Sequence, residues 1–190
     1  MKILVIQNRK GIGDTVLFLP FIKALSKKFN SPISLLVKES SKADQYLDQT
    51  NYIDKILILE RDKKSNNNHG GFFGSLNLIK DIRKNNFDKI FIFNSSLRFY
   101  LIAKLSGISK IYQYPLFQKN KQHIVNTPKK FLKDKLNIEI NEDPEIQIDT
   151  KLISKSIDRL EINRNQMNIL FGIGGSGPTK RIPSSIFLSV

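Results

Sequence analysis

Residues 2–29 read KILVIQNRKGIGDTVLFLPFIKALSKKF: a short apolar run, a polar loop with two glycines, and a longer amphipathic stretch. Residues 3–6 are all aliphatic, which is typical of a parallel strand that is buried on both faces. From Val16 to Phe29 the apolar side chains recur at roughly every three or four residues, and this spacing predicts a helix that Pro20 bends or restarts. The stretch therefore predicts the strand, loop and helix with which an α/β fold begins.

The same alternation continues along the chain. Further compact apolar runs predict strands at residues 33–37, 56–59, 90–93 and 169–171, with weaker candidates at 108–112 and 145–148. Helical spacing predicts helices at residues 72–85, 97–105, 127–136 and 150–162, and Gly107 is placed to end the second of these. Residues 61–71, RDKKSNNNHGG, are polar and aperiodic, so they predict a loop, and this loop contains His69. Alternating strands and helices predict an α/β doubly wound parallel sheet with right-handed crossovers.

The end of the chain predicts the beginning of a second domain. After residues 169–171 come a glycine-rich turn and Pro183, and a predicted helix that starts at Ser184 continues to the last residue, Val190. A domain rarely ends inside the first turns of a helix. We therefore expect a first domain at residues 1–165 and, at residues 166–190, the start of a second domain that is incomplete here.

The charge indicates an anionic partner. The 190 residues include 31 basic and 17 acidic ones, for a formal net charge of +14. Nucleic acid, a membrane surface and phosphorylated small molecules all fit such a charge. The composition is also biased, with 24 lysines against 7 arginines and 17 asparagines against 3 alanines. We therefore attribute only part of the charge to a binding function.

Several classes of site and location are excluded or disfavoured. The absence of cysteine excludes disulfides, Cys-ligated zinc, iron–sulfur clusters and thiol nucleophiles. His69 and His123 are far apart, so we expect neither a histidine metal site nor a Ser/His catalytic pair. No apolar run approaches the ~18–20 residues that span a bilayer, and the N-terminal run is too short for a signal peptide. We expect a cytoplasmic protein, with peripheral contact at the inner face of the membrane left open.

The first motif is NRKGIGDT at residues 8–15, directly after the first predicted strand. In an open α/β sheet, ligands bind beyond the carboxyl ends of the strands, where this loop lies. Gly11 and Gly13 permit positive φ and close backbone approach, but Val16 stands where a dinucleotide fingerprint has its third glycine. Asp14 has two interpretations: it caps the next helix, or it is a functional carboxylate in the ligand cleft.

The second motif is FGIGGSGPTKRIP at residues 171–183. Residues 172–177 match G-x-G-x-x-G, but Pro178 stands where a P-loop has its lysine, and the helix is delayed to about Ser184. A strand, exposed backbone N–H groups, a hydroxyl at Ser176 and a lysine at Lys180, followed by a helix, form a phosphate-binding arrangement. An ordinary glycine-rich turn is the alternative.

Three stretches together resemble the ADP-heptose:lipopolysaccharide heptosyltransferases of glycosyltransferase family 9. Residues 2–29 are similar to the family's opening strand, G-x-G-D loop and L-x-x-L-P helix. Residues 94–114, NSSLRFYLIAKLSGISKIYQY, are similar to its serine–arginine helix and Gly-Ile turn. Residues 174–183, GGSGPTKRIP, resemble its G-x-S…K-R-W-P stretch, with Ile182 in place of the tryptophan.

The resemblance implies a GT-B architecture, in which two Rossmann-like domains face each other across a cleft. It implies inverting transfer of heptose from ADP-heptose to a lipopolysaccharide core acceptor, with Asp14 as the catalytic base. The other implied site residues are Gly11 and Gly13 in the acceptor loop, and Gly175, Ser176 and Lys180 at the donor diphosphate. It implies no metal or other cofactor and no nucleic acid partner.

Two other functions stay open at this point. One is another GT-B transferase for surface polysaccharide, because the residues that recognise the base and the sugar are expected beyond Val190. The other is a non-enzymatic basic module that binds nucleic acid or anionic lipid, which explains the charge but not the placement of Asp14. We expect the 190-residue chain to fold through residue 165 and to be inactive alone as a transferase.

Overall fold

A parallel sheet of five strands lies at the centre of the part of the chain described by the computed structural model, which is residues 1–61, 67–116, 123–170 and 183–188. The strands are β1 (Ile3–Gln7), β2 (Ile33–Lys38), β3 (Ile53–Leu59), β4 (Lys89–Ile92) and β5 (Lys110–Gln113). They pair in the order β3-β2-β1-β4-β5, and every pair is parallel. The predicted doubly wound parallel sheet is confirmed.

The predicted helices form close to their predicted positions, and two short helices, at Ile12–Val16 and Ala43–Tyr46, were not predicted. They are α1 (Ile12–Val16), α2 (Leu19–Phe29), α3 (Ala43–Tyr46), α4 (Gly71–Asn85), α5 (Leu97–Leu105), α6 (Asn126–Leu136), α7 (Thr150–Arg159) and α8 (Ser184–Phe187). Pro20 restarts the helix as predicted, because it occupies the first turn of α2, where its missing N–H is tolerated. Gly107 follows α5 with a φ of +83°, which fits its predicted role as a helix stop. Of the helices in the described ranges, none is long and apolar enough to cross a membrane.

Both faces of the sheet are buried. Ile3 and Val5 of β1 belong to an apolar cluster that includes buried residues of α2 and α6. Leu4 and Ile6 belong to a second cluster, with buried residues of α4 and α5. Successive side chains of a strand point to opposite faces, so a strand that is covered twice needs apolar residues at every position. This is why the strands read as continuous apolar runs.

The strand expected at residues 145–148 does not form. Glu142, just before it, forms ion pairs with Lys23 at 3.0 Å and with Lys27 on α2. Within it, Gln147 Oε1 accepts a hydrogen bond from the backbone N–H of Asn51 at 2.9 Å. Side-chain contacts thus hold this irregular segment against the sheet unit in place of a strand ladder.

The strand expected at residues 169–171 is also absent at the two positions that are described. Ile169 and Leu170 lie outside any strand and are 68% and 97% exposed, and Phe171 lies outside the described residues. An apolar run becomes a stable strand only when a neighbouring strand pairs with it.

Contacts divide the chain into two compact units, Met1–Ile148 and Asp149–Val190. The first unit holds the sheet and α1 to α6. In the second unit, α7 starts at a side-chain cap, because the Asp149 carboxylate accepts from the backbone N–H of Lys151 at 2.8 Å. The domain boundary expected near residue 166 stays a prediction.

Candidate active site

The sheet has a topological switch point between β1 and β4. From β1 the chain moves outward through β2 to β3, and it then returns to place β4 and β5 on the other side of β1. The segments that leave the carboxyl ends of β1 and β4 therefore diverge, which opens a crevice where ligands of α/β sheets bind. Asp14 lies in α1, the helix that follows β1.

The loop after β1 is held by the buried side chain of Gln7. Its Nε2 donates to the backbone oxygen of Asp14 at 3.3 Å, and its Oε1 accepts from the backbone N–H of Arg9 at 3.2 Å. Gly11, the residue before α1, has φ +96° and ψ 156°, a conformation that residues with a side chain rarely adopt. The buried Thr15 donates from Oγ1 to the backbone oxygen of Gly11 at 3.3 Å. These bonds give the loop one defined path.

Asp14 lies inside α1 and does not cap it. The helix begins at Ile12 and its N-cap is Gly11, so the interpretation of Asp14 as the helix cap is wrong. The physical reason is that the positive φ of Gly11 turns the chain into the helix before Asp14 is reached. The Asp14 side chain is partly buried, and its carboxylate has no hydrogen bond or ion pair with any described residue.

The two glycines leave the surface beside Asp14 open. A Cβ built on Gly11 or on Gly13 meets no heavy atom within 4 Å. Gly11 is required for its φ, whereas Gly13 is an ordinary helical position. Glycine inside a helix lowers stability by roughly 0.5–1 kcal/mol relative to alanine, so the fold supplies no reason for glycine at position 13.

Amide side chains join the ends of β1, β4 and β5. Asn94 Nδ2 donates to Asn8 Oδ1 at 3.3 Å across the switch point, and Asn94 Oδ1 accepts from the N–H of Ser96 at 2.9 Å. Gln113 Nε2 donates to the backbone oxygens of Asn94 at 3.1 Å and Ser96 at 2.9 Å. This network was not predicted from the sequence. The signal was present, because three of the predicted apolar runs are each followed by an amide, Gln7, Asn94 and Gln113.

A cavity of about 280 Å³ lies between the end of β5 and α6, and its lining includes Gln113, Tyr114 and Lys130. Gln113 Oε1 and the Tyr114 hydroxyl are buried, and neither makes a hydrogen bond to the described part of the chain. Burial raises the pKa of the Tyr114 hydroxyl well above its usual value, and the charge of Arg9 works in the opposite direction. One neutral donor and one acceptor are thus left without a partner beside the amide network.

His69 is a structural residue between β3 and α4. It is 6% exposed, its Nδ1 accepts from the backbone N–H of Glu60 at 3.0 Å, and its Nε2 lies 3.1 Å from Asp81 Oδ2. Because Nδ1 accepts, the ring proton is on Nε2 and is donated to Asp81. The backbone oxygen of His69 accepts from the guanidinium of Arg98, whose Nε donates to Ser75 Oγ at 2.9 Å. The sequence placed His69 in a loop and could not reveal these bonds to three other elements.

The predicted phosphate-binding stretch lies outside the described residues. Gly175, Ser176 and Lys180 fall within residues 171–182, so their roles at a donor diphosphate stay predictions. Within the described ranges, no group of three or more His, Asp or Glu side chains could hold a metal ion. The part of the candidate site with a defined geometry is therefore the crevice between the loops after β1 and β4.

No family model matches the chain, and no curated protein matches its sequence. Solved structures do match. The family 9 glycosyltransferase of Veillonella parvula DSM 2008 aligns over 99% of this chain with a TM-score of 0.75 and 18% identity. The fold is that of a family 9 glycosyltransferase. The ADP-heptose lipopolysaccharide heptosyltransferase II of E. coli aligns over 100% of this chain with a TM-score of 0.65 and 14% identity.

The chain spans less than two thirds of the structures it matches, 58% of the Veillonella parvula chain and 60% of the E. coli chain. The similarity extends over the whole chain, and it agrees with the observed parallel sheet and flanking helices. The α/β Rossmann-like fold of GT-B glycosyltransferases, which the sequence resemblance implied, is thereby confirmed.

Proposed function

We propose that this chain is the acceptor-binding part of an inverting glycosyltransferase that moves heptose from ADP-heptose to a lipopolysaccharide core acceptor. The observation that carries the proposal is the Asp14 carboxylate, which has no partner among the described residues and stands at the switch point beside Gly11 and Gly13. The choice of donor and acceptor is supported by the fold shared with an ADP-heptose lipopolysaccharide heptosyltransferase.

In this proposal Asp14 is the general base. An acceptor hydroxyl donates its proton to the Asp14 carboxylate while its oxygen forms a bond to the anomeric carbon of the donor sugar. The bond between that carbon and the diphosphate oxygen breaks on the opposite face, which inverts the configuration. The electron pair leaves with the nucleoside diphosphate. A base must lie within hydrogen-bond reach of the hydroxyl, and the open surface over Gly13 leaves room for the acceptor.

The leaving diphosphate develops negative charge, and we propose that residues 171–182 receive it. Lys180 would contribute a positive charge, and Ser176 and the backbone N–H at Gly175 would contribute hydrogen bonds. These groups act without a metal ion or other cofactor in the proposed reaction. The 190-residue chain alone is proposed to be inactive, because it spans about three fifths of the length of the transferases that share its fold.

The amide network gives the crevice a rigid wall. Asn8 and Asn94 connect the loops on its two sides, and Gln113 fixes the second loop from β5. A network in which the side chains are already hydrogen-bonded loses little entropy when the acceptor binds, so the hydroxyl can be held in one orientation toward Asp14. We place the enzyme in the cytoplasm, where its basic character suits a phosphorylated lipid acceptor.

The test is a transfer assay with the full-length protein and a lipopolysaccharide acceptor that lacks heptose. ADP-heptose is offered beside other nucleotide sugars, and release of the nucleoside diphosphate and the mass of the acceptor are measured. We expect a mass gain of one heptose with ADP-heptose. Transfer from a different nucleotide sugar would identify another GT-B transferase. No transfer, together with DNA binding that weakens steeply with salt, would identify a basic binding module.

A further inference from the structure

The surface of α4 and α5 exposes large apolar side chains. Phe72 and Phe73, in the first turn of α4, are 75% and 79% exposed. Other exposed apolar residues on the two helices are Leu76, Leu97, Leu101 and Leu105. Two phenylalanines side by side in water are unusual, because aromatic rings contribute large apolar areas and are normally buried in a core or an interface. The cluster marks an interaction surface.

These residues lie on one continuous surface. Arg98 of α5 donates from Nε to Ser75 of α4 at 2.9 Å, and Arg83 of α4 donates from Nε to the backbone oxygen of Leu105 of α5 at 3.1 Å. The two helices therefore run parallel, with their first turns side by side and their last turns side by side. Residues three or four apart share a helix face, which places Phe72 near Ser75 and Leu101 near Arg98 at the same seam.

The same two helices carry an excess of positive charge. Their basic residues are Lys80, Arg83, Lys84, Arg98 and Lys104, and their one acidic residue is Asp81. Asp81 is already engaged by His69 and by Lys84. This charge fits an anionic partner and opposes the docking of a second copy of the same surface.

We propose that the α4–α5 surface docks on an anionic lipid bilayer. Phe72 and Phe73 enter the boundary between headgroups and acyl chains, and the exposed lysines of the two helices, Lys80, Lys84 and Lys104, face the lipid phosphates. The leucines favour a bilayer over nucleic acid, because aliphatic side chains enter hydrocarbon but do not stack on bases. The two phenylalanine rings also pack edge to face, 5.9 Å apart at 81°, and so do not form two parallel stacking platforms. The inference does not depend on transferase activity.

The experiment is co-sedimentation of the full-length protein with vesicles of phosphatidylcholine, with and without phosphatidylglycerol. We expect binding to the anionic vesicles and a loss of at least ~10-fold in the variant F72S/F73S, because two inserted rings are removed. The matched control is L152S/I153S, which removes an adjacent pair of exposed apolar residues from α7 and should bind like the wild type. Since the substituted residues are exposed, the thermal unfolding midpoints should stay unchanged.

Three results would overturn the proposal. The first is equal vesicle binding by the wild type and F72S/F73S. The second is a wild type that ignores anionic vesicles but binds single-stranded nucleic acid through the two phenylalanines. The third is a wild type that ignores the vesicles and forms a dimer that F72S/F73S abolishes. None of these readouts uses sugar transfer, so failure here is separate from failure of the proposed function.

Discussion

The segments that follow β1 and β2 begin alike and end differently. β1 and β2 are neighbouring parallel strands, and each leads into a short helix with one aspartate in its first turn. Asp14 holds this position in α1, and Asp44 holds it in α3. Both segments therefore place one aspartate in the first turn of a short helix, although the residues around it differ, GIGDT at residues 11–15 and SKADQ at residues 41–45.

The segment after β2 is held by hydrogen bonds within the segment and by residues that it buries in the core. The buried Ser41 donates from Oγ to the backbone oxygen of Lys38 at 2.6 Å and accepts from the N–H of Ala43 at 3.4 Å. Ala43 and Leu47 are buried in the core, and Asp44 is exposed to solvent. This segment completes the packing of the sheet.

The segment after β1 has unfilled space beside it. Gly11 and Gly13 have free space above them, and Asp14 is partly buried without a partner among the described residues. β1 borders the switch point, whereas β2 lies between β1 and β3. The contrast shows that the position of a strand in the sheet distinguishes the two aspartates, because the loop after β1 borders the crevice and the segment after β2 does not.

The largest expected effect is on catalysis. Asp14→Asn in the full-length enzyme should lower kcat by at least ~100-fold, since the amide cannot take the acceptor proton, with little change in donor affinity. Asp44→Asn is the matched control and should turn over like the wild type. Steady-state kinetics of both variants tests whether the two aspartates differ in function. Equal kcat values for Asp14→Asn and Asp44→Asn would show that they do not.

The next effect is on stability. Gly11→Ala should lower the free energy of unfolding by ~1–3 kcal/mol, because alanine is strained at a φ of +96°. Urea unfolding measures this. Gly107→Ala is the control, since Gly107 also has a positive φ of +83° but lies after α5. Both variants should lose stability, and only Gly11→Ala should also lose transfer. Unaltered transfer in Gly11→Ala would mean that the loop path is not needed for the reaction.

A smaller effect is expected in the segment after β2. Ser41→Ala removes the hydrogen bonds to Lys38 and Ala43, so the free energy of unfolding should fall by ~1 kcal/mol. Transfer by the full-length enzyme should not change, because this segment has a packing role. A fall in kcat with retained stability would place the segment in the site.

The smallest effect has the opposite sign. Gly13→Ala should raise the free energy of unfolding by up to ~1 kcal/mol, because alanine favours the helix and its Cβ meets no atom of the chain. The same methyl group should weaken acceptor binding, seen as a higher acceptor KM. A variant that gains stability and keeps its KM would show that no ligand approaches position 13.

The fold could be predicted because parallel sheets leave a simple pattern. Every strand that is covered on both faces, such as Ile3–Gln7, needs apolar residues without alternation. At residues 145–148 the same pattern predicted a strand that does not form. This segment is irregular, and the ion pairs of Glu142 and the hydrogen bond of Gln147 hold it in place. A sequence does not show which partners its side chains will meet.

Only the part of the site whose residues are close together in the sequence could be predicted. Gly11, Gly13 and Asp14 are close in sequence and stood out as a loop after a strand. The bond from Asn94 to Asn8 joins residues 86 positions apart and depends on β4 lying beside β1. The sequence shows an amide after each of three predicted strands, but strand order is set by packing of the whole sheet, so it does not show which of these amides meet.

Chemical rescue of an Asp14 variant tests most directly whether this carboxylate is the base. Asp14→Ala leaves a space where Asp14 stood, and added formate can supply a carboxylate there. We expect full-length Asp14→Ala to be nearly inactive and to regain transfer in proportion to formate, while the wild type and Asp44→Ala do not respond. Near-wild-type turnover by Asp14→Ala without formate, or an inactive variant that formate does not restore, would contradict the assignment of Asp14 as the base.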